Sequence, residues 1–504
     1  MSLRQRAVDA VVWTGIRNWG SQAANFLVFI ALARLLPPEA FGLVAYATVF
    51  LALGQILANQ GFALAIVQRE QLDPEHIDTA FWTGIGISLV LVAVFTGLAE
   101  PISLLAREPQ LAPLLPWLSL GILLGALSAV QQALLQRELR YRPLALRSLV
   151  ATAVGGLSGI AAALSGYGVW SLVVQQLVYA TTAVLILWAS STWRPRLRVS
   201  RTHFGDIFGF GISIVGTNLA RFFVTRSDRL LIGYVLGPAE LGIYVIAFRA
   251  IQALIDFVNG TLRQVAVPVM SRMQGDTKRV RRALYSATRT TSLVSFPAFA
   301  GVAALAPVLI PALFGDQWHA SIPIMRILAL YGIIHSLQYN GSVMVAMGRP
   351  SWALVESLVG ALITVAGILV AARWGIAAVA AVVALRGYLL YPGTLLAVRR
   401  LIQIRFRELL AGYVAPALAS VVAVSIALGV TSALEDRVNV YFGLAAAITA
   451  AALGYALLIR LGAPERWQAT KELVVLALPK RAGNSNGSTS PDSTDGPQGE
   501  PRSS

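Results

Sequence analysis

Residues 35–46 read LLPPEAFGLVAY and residues 235–246 read VLGPAELGIYVI, and the reading of the fold starts from this pair. Leu36 and Leu236, Pro38 and Pro238, and Gly42 and Gly242 keep one spacing, and Asn18 and Asn218 align with it. Each copy sits at a break between two long apolar stretches. A proline there ends one helix and opens the next, because it lacks an N–H and its φ is already helical. The pair therefore predicts two duplicated helical groups, each with this turn between its first and second helix.

The flanking composition says what those helices cross. Hydrophobic residues make up 56% of the 504, charged residues only 13%, and mean hydropathy is +0.68. A soluble domain carries about 25% charged residues. The apolar residues fall in blocks close to the ~20 residues that a helix needs to span the hydrocarbon core. The blocks are too long for barrel strands and show no period of two. They are centred within residues 11–33, 42–67, 80–99, 111–135, 147–165 and 168–190, then 207–233, 240–268, 286–313, 321–347, 352–371 and 375–397, with a last pair at 411–430 and 440–460. The fold class is thus an all-α polytopic membrane protein, with about fourteen transmembrane helices in two six-helix lobes plus a final helical pair. Residues 1–200 form the first lobe with its connector and 201–400 the second. Residues 401–463 form the closing hairpin, and 464–504 a cytoplasmic tail.

Charge gives the orientation. Arg137, Arg140, Arg142 and Arg147 lie in one connection, and Arg194, Arg196, Arg198 and Arg201 in another. Arg272, Lys278, Arg279, Arg281 and Arg282, then Arg399, Arg400, Arg405 and Arg407, fill two more. The alternate connections hold only Arg34, Arg107, Arg373 and Arg437. Basic loops stay cytoplasmic, so both termini are placed inside. The formal charge of +16 then serves topology and contact with anionic phospholipid rather than nucleic acid. Arg17 and the polar residues near it argue against a cleaved signal peptide. Residues 464–480 predict a short interfacial helix, and the sequence from Arg481 onward lacks the apolar residues of a core. Trp82, Trp117, Trp170, Trp188, Trp318, Trp352 and Trp374 fall near helix ends, where an aromatic belt forms.

Other chemistry is poorly supported. The chain has no cysteine and four scattered histidines, so neither a thiolate metal site nor a histidine cluster is expected. No Gly-rich phosphate loop ending in Gly-Lys-Ser/Thr is present. The short basic connections leave little room for donor and acceptor sites of a polymerase or glycosyltransferase. The chain reads as a transporter without covalent catalysis and without a cofactor.

Ionisable residues inside spans mark function by default. Arg17 falls in the first span, Arg221 and Arg226 in the seventh, Arg249 and Arg263 in the eighth, and Arg289 at the start of the ninth. Arg17, Asn18, Asn218, Arg221, Arg249, Arg263 and Arg289 are the candidate substrate-binding residues, because guanidiniums in a hydrated chamber suit a phosphate-bearing headgroup. Asp256 and Glu356 are candidates for proton or sodium coupling, with a buried ion pair as the alternative. Asp228, between Arg226 and Arg229, is read as their ion-pair partner. Gly155 and Gly159 have the spacing of a close helix contact. Pro268, Pro297, Pro307 and Pro311 are read as helix bends.

ARLLPPEAFGLVAYATVF, NQGFALAIVQRE and HIDTAFW in the first half, with SDRLLIGYVLGPAELGIYVIAFR, VAVPVMSRMQGD, FGDQWHASIPIMRILALYG and AMGRPSW in the second, carry a resemblance. The chain resembles the polysaccharide-biosynthesis export branch, the lipopolysaccharide flippases, of the multidrug/oligosaccharidyl-lipid/polysaccharide transporter superfamily. The resemblance implies fourteen helices and alternating access. It implies transfer of undecaprenyl-pyrophosphate-linked saccharide across the bacterial inner membrane, beside a polysaccharide polymerase and export machinery. It also implies that Arg17 lies in a first-helix region used for headgroup binding. A lipid II flippase, a multidrug cation exporter and a nontransport scaffold remain the alternatives.

Overall fold

The computed structural model describes residues 3–58, 66, 73–197, 201–271, 273, 276–435 and 437–462, and every regular element among them is helical. The tail from residue 463, with its expected interfacial helix, lies outside the described residues. The first lobe comprises α1 (Leu3–Leu35), α2 (Pro38–Ala58), α3 (Pro74–Gly97), the short α4 (Ala99–Leu105), α5 (Leu111–Arg137), α6 (Tyr141–Leu164) and α7 (Trp170–Ser190). The second comprises α8 (Arg201–Leu236), α9 (Pro238–Ser271), α10 (Thr277–Phe314), α11 (Ser321–Leu337), α12 (Asn340–Ala346), α13 (Pro350–Ala371) and α14 (Ile376–Ile402). The hairpin α15 (Phe406–Leu434) and α16 (Val440–Gly462) packs against α10.

Eleven described helices are long and apolar enough to cross a membrane. The long α1 and α8 carry several of the polar residues singled out above, among them Arg17, Asn18, Asn218 and Arg221. The span expected over 321–347 is two helices, because the chain breaks at Gln338 and Tyr339. Two buried side-chain bonds hold that break. The Tyr339 and Thr291 hydroxyls are 2.7 Å apart, and Asn340 Nδ2 donates to Thr394 Oγ1 at 2.8 Å.

The connections gather at two ends. At one, Arg281 donates to the Gln403 carbonyl at 3.0 Å and the Arg405 N–H to the Tyr285 hydroxyl at 2.7 Å. In the first lobe at that end, the Arg196 N–H donates to buried Asp78 at 3.1 Å, and Trp82 Nε1 donates to the Arg196 carbonyl at 2.8 Å. This end holds the basic connections. The other end holds Arg34, Arg107, Arg373 and Arg437, so the charge asymmetry of the sequence is an asymmetry of the folded bundle.

The three described prolines inside α10 do not end it; the helix runs unbroken through Pro297, Pro307 and Pro311. A helical proline leaves the carbonyl four residues back without its donor, and in lipid that carbonyl needs another. Pro297 frees Leu293, whose carbonyl accepts the Tyr455 hydroxyl of α16 at 2.8 Å. Pro307 frees Ala303, which accepts Arg326 Nε of α11 at 3.2 Å. The prolines thus create the sockets by which neighbours attach to α10. Tyr455→Phe is expected to weaken the docking of the final hairpin by about 1–3 kcal/mol. The melting temperature of the detergent-solubilised protein should fall; an unchanged value would contradict this role.

The two lobes meet along α2, α8 and α9, and α1 touches α10. At their contact the duplicated motif meets itself. A Cβ on Gly42 would fall on the Pro238 carbonyl oxygen, and one on Gly242 would fall on that of Pro38. Each copy's glycine admits the other copy's backbone, which is the reciprocity of a local two-fold axis. Gly155 and Gly159 do similar work within the first lobe, where the Gln175 carbonyl and side chain of α7 leave no room for a Cβ.

Candidate functional site

The site grows from the lobe contact inward. Phe29 of α1, almost fully buried, meets Phe41 edge-on with centroids 5.7 Å apart and Phe314 at 5.8 Å, while Phe41 meets Trp318 at 5.6 Å. Trp318 Nε1 donates to the Ala33 carbonyl at 2.8 Å. The sequence puts Trp318 in the headgroup belt, but the structure buries it completely at the lobe contact. Gln317 also donates to the Ala33 carbonyl, at 2.8 Å. In return, Arg34 at the end of α1 donates to the carbonyls of Ala312 and Leu313 at the end of α10, and to the Tyr441 hydroxyl of α16. Each helix end thus has its orphan carbonyls capped from the other lobe. This end is closed.

Below it, Arg249 of α9 lays its guanidinium over the Phe29 ring, 4.2 Å from the centroid, so a cation bridges the lobes. Arg229 of α8 lies over Phe248 at 5.4 Å, close enough to Arg249 for the two charges to repel. Arg229 Nε is buried without a hydrogen-bond partner. Asp228 does not take the expected ion pair; Tyr244 of α9 donates its hydroxyl to Asp228 Oδ2 at 2.9 Å, in the interior. Residues one or two apart on a helix do not share a face, so Arg226 and Arg229 are poorly placed as partners, whereas a residue of the next helix is well placed. A second interlobe contact, Trp19 against Phe257 at 5.2 Å, lies further from the closed end.

The other candidates are distributed as follows. Arg17 and Asn18 belong to α1 and Arg263 to α9, but their side chains lie outside the described residues. Asn218 is half-buried and Arg221 exposed, both on α8, three residues apart. Arg289 lies on α10 at its contact with α15: a Cβ on Gly412 would come within 3.0 Å of Arg289 Cγ. Asp256 is exposed on α9 and accepts a hydrogen bond from Gln252 at 2.9 Å. Glu356 is half-buried on α13, attracted by Arg386 of α14, which donates to Thr364 at 3.0 Å. The two carboxylates sit on different helices. Among the described residues no group of three His, Cys, Asp or Glu could hold a metal ion.

Phe29, Arg229, Tyr244 and the Arg34 caps were not among the sequence candidates. Phe29 sits in an unbroken apolar run and gives no signal alone; Arg229 was read only as a partner for Asp228.

Two cavities adjoin the site. One of about 480 Å³ lies among α10, α15 and α16, lined by apolar residues such as Pro297, Val302, Ala423, Ala427 and Ile448, and it reaches Leu254 of α9. Another of about 1020 Å³ opens at the closed end beside Arg34, Gln317, Glu435, Asn439 and Tyr441.

Two lobes of membrane helices meeting at a cationic contact define a two-lobed polytopic fold shared with known transporters. The lipid II flippase MurJ, in an inward closed conformation, superposes with a TM-score of 0.71 at 14% identity, over 90% of this chain and 99% of that one. An inward-facing multidrug resistance MATE family transporter gives a TM-score of 0.59 at 17% identity, over 78% of this chain and 98% of that one. Residues 31–323 match the family model described as polysaccharide biosynthesis protein, and the chain belongs to that family.

The succinoglycan biosynthesis transport protein ExoT of Rhizobium meliloti is 30% identical over 64% of this chain. The match spans only 65% of ExoT's own length. The lipopolysaccharide biosynthesis protein WzxC of Escherichia coli is 25% identical over 69% of this chain and 72% of its own length. The teichuronic acid biosynthesis protein TuaB of Bacillus subtilis is 24% identical over 70% and 74%.

Proposed function

We propose that the chain moves an undecaprenyl-pyrophosphate-linked oligosaccharide from the cytoplasmic to the periplasmic leaflet of a bacterial inner membrane by alternating access. The observation that carries this reading is the position of Arg249, between the lobes on Phe29 and beside Arg229. Two neighbouring guanidiniums are costly in a low-dielectric setting until an anion joins them. A pyrophosphate supplies that anion with acceptors matched to the guanidinium fork. The family and its relatives, concerned with succinoglycan, lipopolysaccharide and teichuronic acid, favour a saccharide on that headgroup.

By the positive-inside rule the basic end is cytoplasmic, with both chain termini, and the Arg34 end is periplasmic. The cycle starts with the periplasmic end shut by the Gly42 and Gly242 contact and the Arg34 caps. A headgroup arriving from the cytoplasm meets Arg221, Asn218 and the region of Arg17, then Arg249. The isoprenoid tail remains in lipid, and the apolar cavity bordered by α10, α15 and α16 suits the tail segment nearest the headgroup. Separation of the caps releases the headgroup outward, and no covalent bond changes. Asp256 or Glu356 couples the return step to protons or sodium. A polysaccharide polymerase and export machinery would receive the product, and the basic loops rest on anionic phospholipid.

Reconstitution in liposomes tests the substrate. Protein-dependent transfer of lipid-linked oligosaccharide headgroups is expected, several-fold slower in Arg221→Ala. Transfer of lipid II alone would favour the peptidoglycan precursor, and export of cationic dyes alone would favour drug transport. Movement of none of the three would leave the scaffold reading.

A further inference from the structure

Away from the lobe contact, cations, an aromatic ring and a cavity come together at the basic end of α13 and α14. A slot of about 480 Å³ runs between the two helices, bordered by Trp352, Glu356 and Val359 of α13 and by Leu390, Gly393 and Arg400 of α14. Leu390 and Arg400 stand ten residues apart on one unbroken helix, about 15 Å at a rise of 1.5 Å per residue. The hydrocarbon core is about 30 Å thick, so the slot reaches from the basic surface to about the mid-plane, the depth of one leaflet. Its mouth is cationic. Arg400 borders it, and the Arg349 guanidinium lies over the Trp352 ring, 5.9 Å from the centroid. Both arginines are exposed, and among the described residues neither guanidinium is engaged by a hydrogen bond or an ion pair. The helix α13 also starts here, with no acidic residue in its first turn and no side-chain cap, so the positive end of its dipole adds to the mouth. Glu356 is the one acidic residue on the walls, and Arg386 of α14 lies within electrostatic reach of it.

We propose that this slot is a specific site for an anionic phospholipid of the leaflet at the basic end, its phosphate held by Arg349 and Arg400 and one acyl chain lying between α13 and α14. An acyl chain matches an apolar slot one leaflet deep. The phosphate then falls at the interface, at the level where arginine heads and a tryptophan ring sit. Basic pockets between membrane helices are the chemistry that recognises such a headgroup. The lipid must carry net negative charge, because a choline cation would bring a like charge to two guanidiniums. Gly393 keeps the slot open: a Cβ there meets nothing within 4 Å. The slot is bordered as well by Met344 of α12 and by Thr394, whose hydroxyl accepts Asn340 Nδ2 at the break between α11 and α12. A chain seated here therefore braces that break from the lipid side. The site is one defined place, beyond the general contact of basic loops with the bilayer, and it stands independently of the headgroup reading.

The test titrates the full-length protein in neutral detergent with dioleoylphosphatidylglycerol and dioleoylphosphatidylcholine and reads their dissociation constants by native mass spectrometry. The phosphatidylglycerol should bind about tenfold more tightly than the phosphatidylcholine. Arg349→Gln and Arg400→Gln should each weaken it about fivefold, and the pair about 25-fold, the effect of one basic group apiece at an anionic lipid. Gly393→Leu keeps both charges but fills the slot, and it should weaken phosphatidylglycerol binding by about tenfold or more. Arg373 lies over Trp374 in the same manner at the Arg34 end, but it does not border the slot. Arg373→Gln should therefore bind within about twofold of wild type. The exposed arginine pair keeps the test sharp if Gly393→Leu folds poorly. Equal affinity for the two lipids overturns the proposal, as does wild-type phosphatidylglycerol affinity in the double arginine variant or in a folded Gly393→Leu. A loss in Arg373→Gln equal to that in Arg400→Gln also overturns it, because the charge effect would then belong to no particular place. Undecaprenyl phosphate serves as a third probe. If it binds more tightly than the phosphatidylglycerol and loses that binding in Gly393→Leu, the slot belongs to the carrier lipid and the proposal falls.

Discussion

Gly42→Ala will part the two lobes at the Arg34 end. The added methyl group has no rotamer to choose, and what it meets is the Pro238 carbonyl, part of the backbone that begins α9. Overpacking against movable side chains costs about 1–3 kcal/mol, and against fixed backbone the cost is at the upper end or beyond. Gly242→Ala should act alike through the Pro38 carbonyl, and the double variant more strongly. A change of about 5.5 kcal/mol carries a two-state equilibrium from 1:99 to 99:1, so the pair should nearly abolish the state closed at this end. Spin labels at the exposed Leu104 of the first lobe and the exposed Trp374 of the second would report it. Their separation should grow by several ångströms in the variants. An unchanged distance distribution in a folded double variant would mean that the reciprocal contact is not a gate.

The second large effect is expected at Arg249. Arg249→Ala removes the cation that bridges the lobes on Phe29, and headgroup affinity should fall about 10- to 100-fold, as for loss of one or two charge-assisted hydrogen bonds. Arg249→Lys should recover only part of this, because an ammonium is a point charge and lacks the planar fork. Binding of undecaprenyl pyrophosphate to the two variants gives the measurement. Equal affinities in wild type, Ala and Lys would remove Arg249 from the site. The effect is distinct from that at Gly42, which alters which side is open rather than what is held.

The sequence carried the fold through features that local chemistry states openly. Long apolar blocks had to be helices, basic loops had to gather on one side, and the copies of the Pro-Gly turn marked two lobes. The reason for the turn was only half visible: proline signalled the break, while the glycine's purpose, admitting the other lobe's backbone, required the two copies to meet. The prolines of α10 show the same limit. Their positions were evident, but the donors that rescue Leu293 and Ala303 come from Tyr455 and Arg326, on other helices. For the site, charge in a span was a useful signal that could not sort its members. Arg249 stands on the interlobe aromatic ring and Arg289 packs across Gly412 of α15, although both are single arginines in apolar sequence. Asp228 was assigned to its sequence neighbours, and a partner from α9 displaced them, because facing helices bring groups closer than adjacent positions on one helix do.

The most direct measurement is a structure of the protein with undecaprenyl-pyrophosphate-linked oligosaccharide bound from the basic side. Its two phosphates should lie within hydrogen-bond reach of Arg249 and Arg229, enclosed by α1, α8 and α9, with the Arg34 end still shut. Phosphates resting on the outer, lipid-facing surface, with Arg249 still seated on Phe29 and no route between the lobes, would contradict the account.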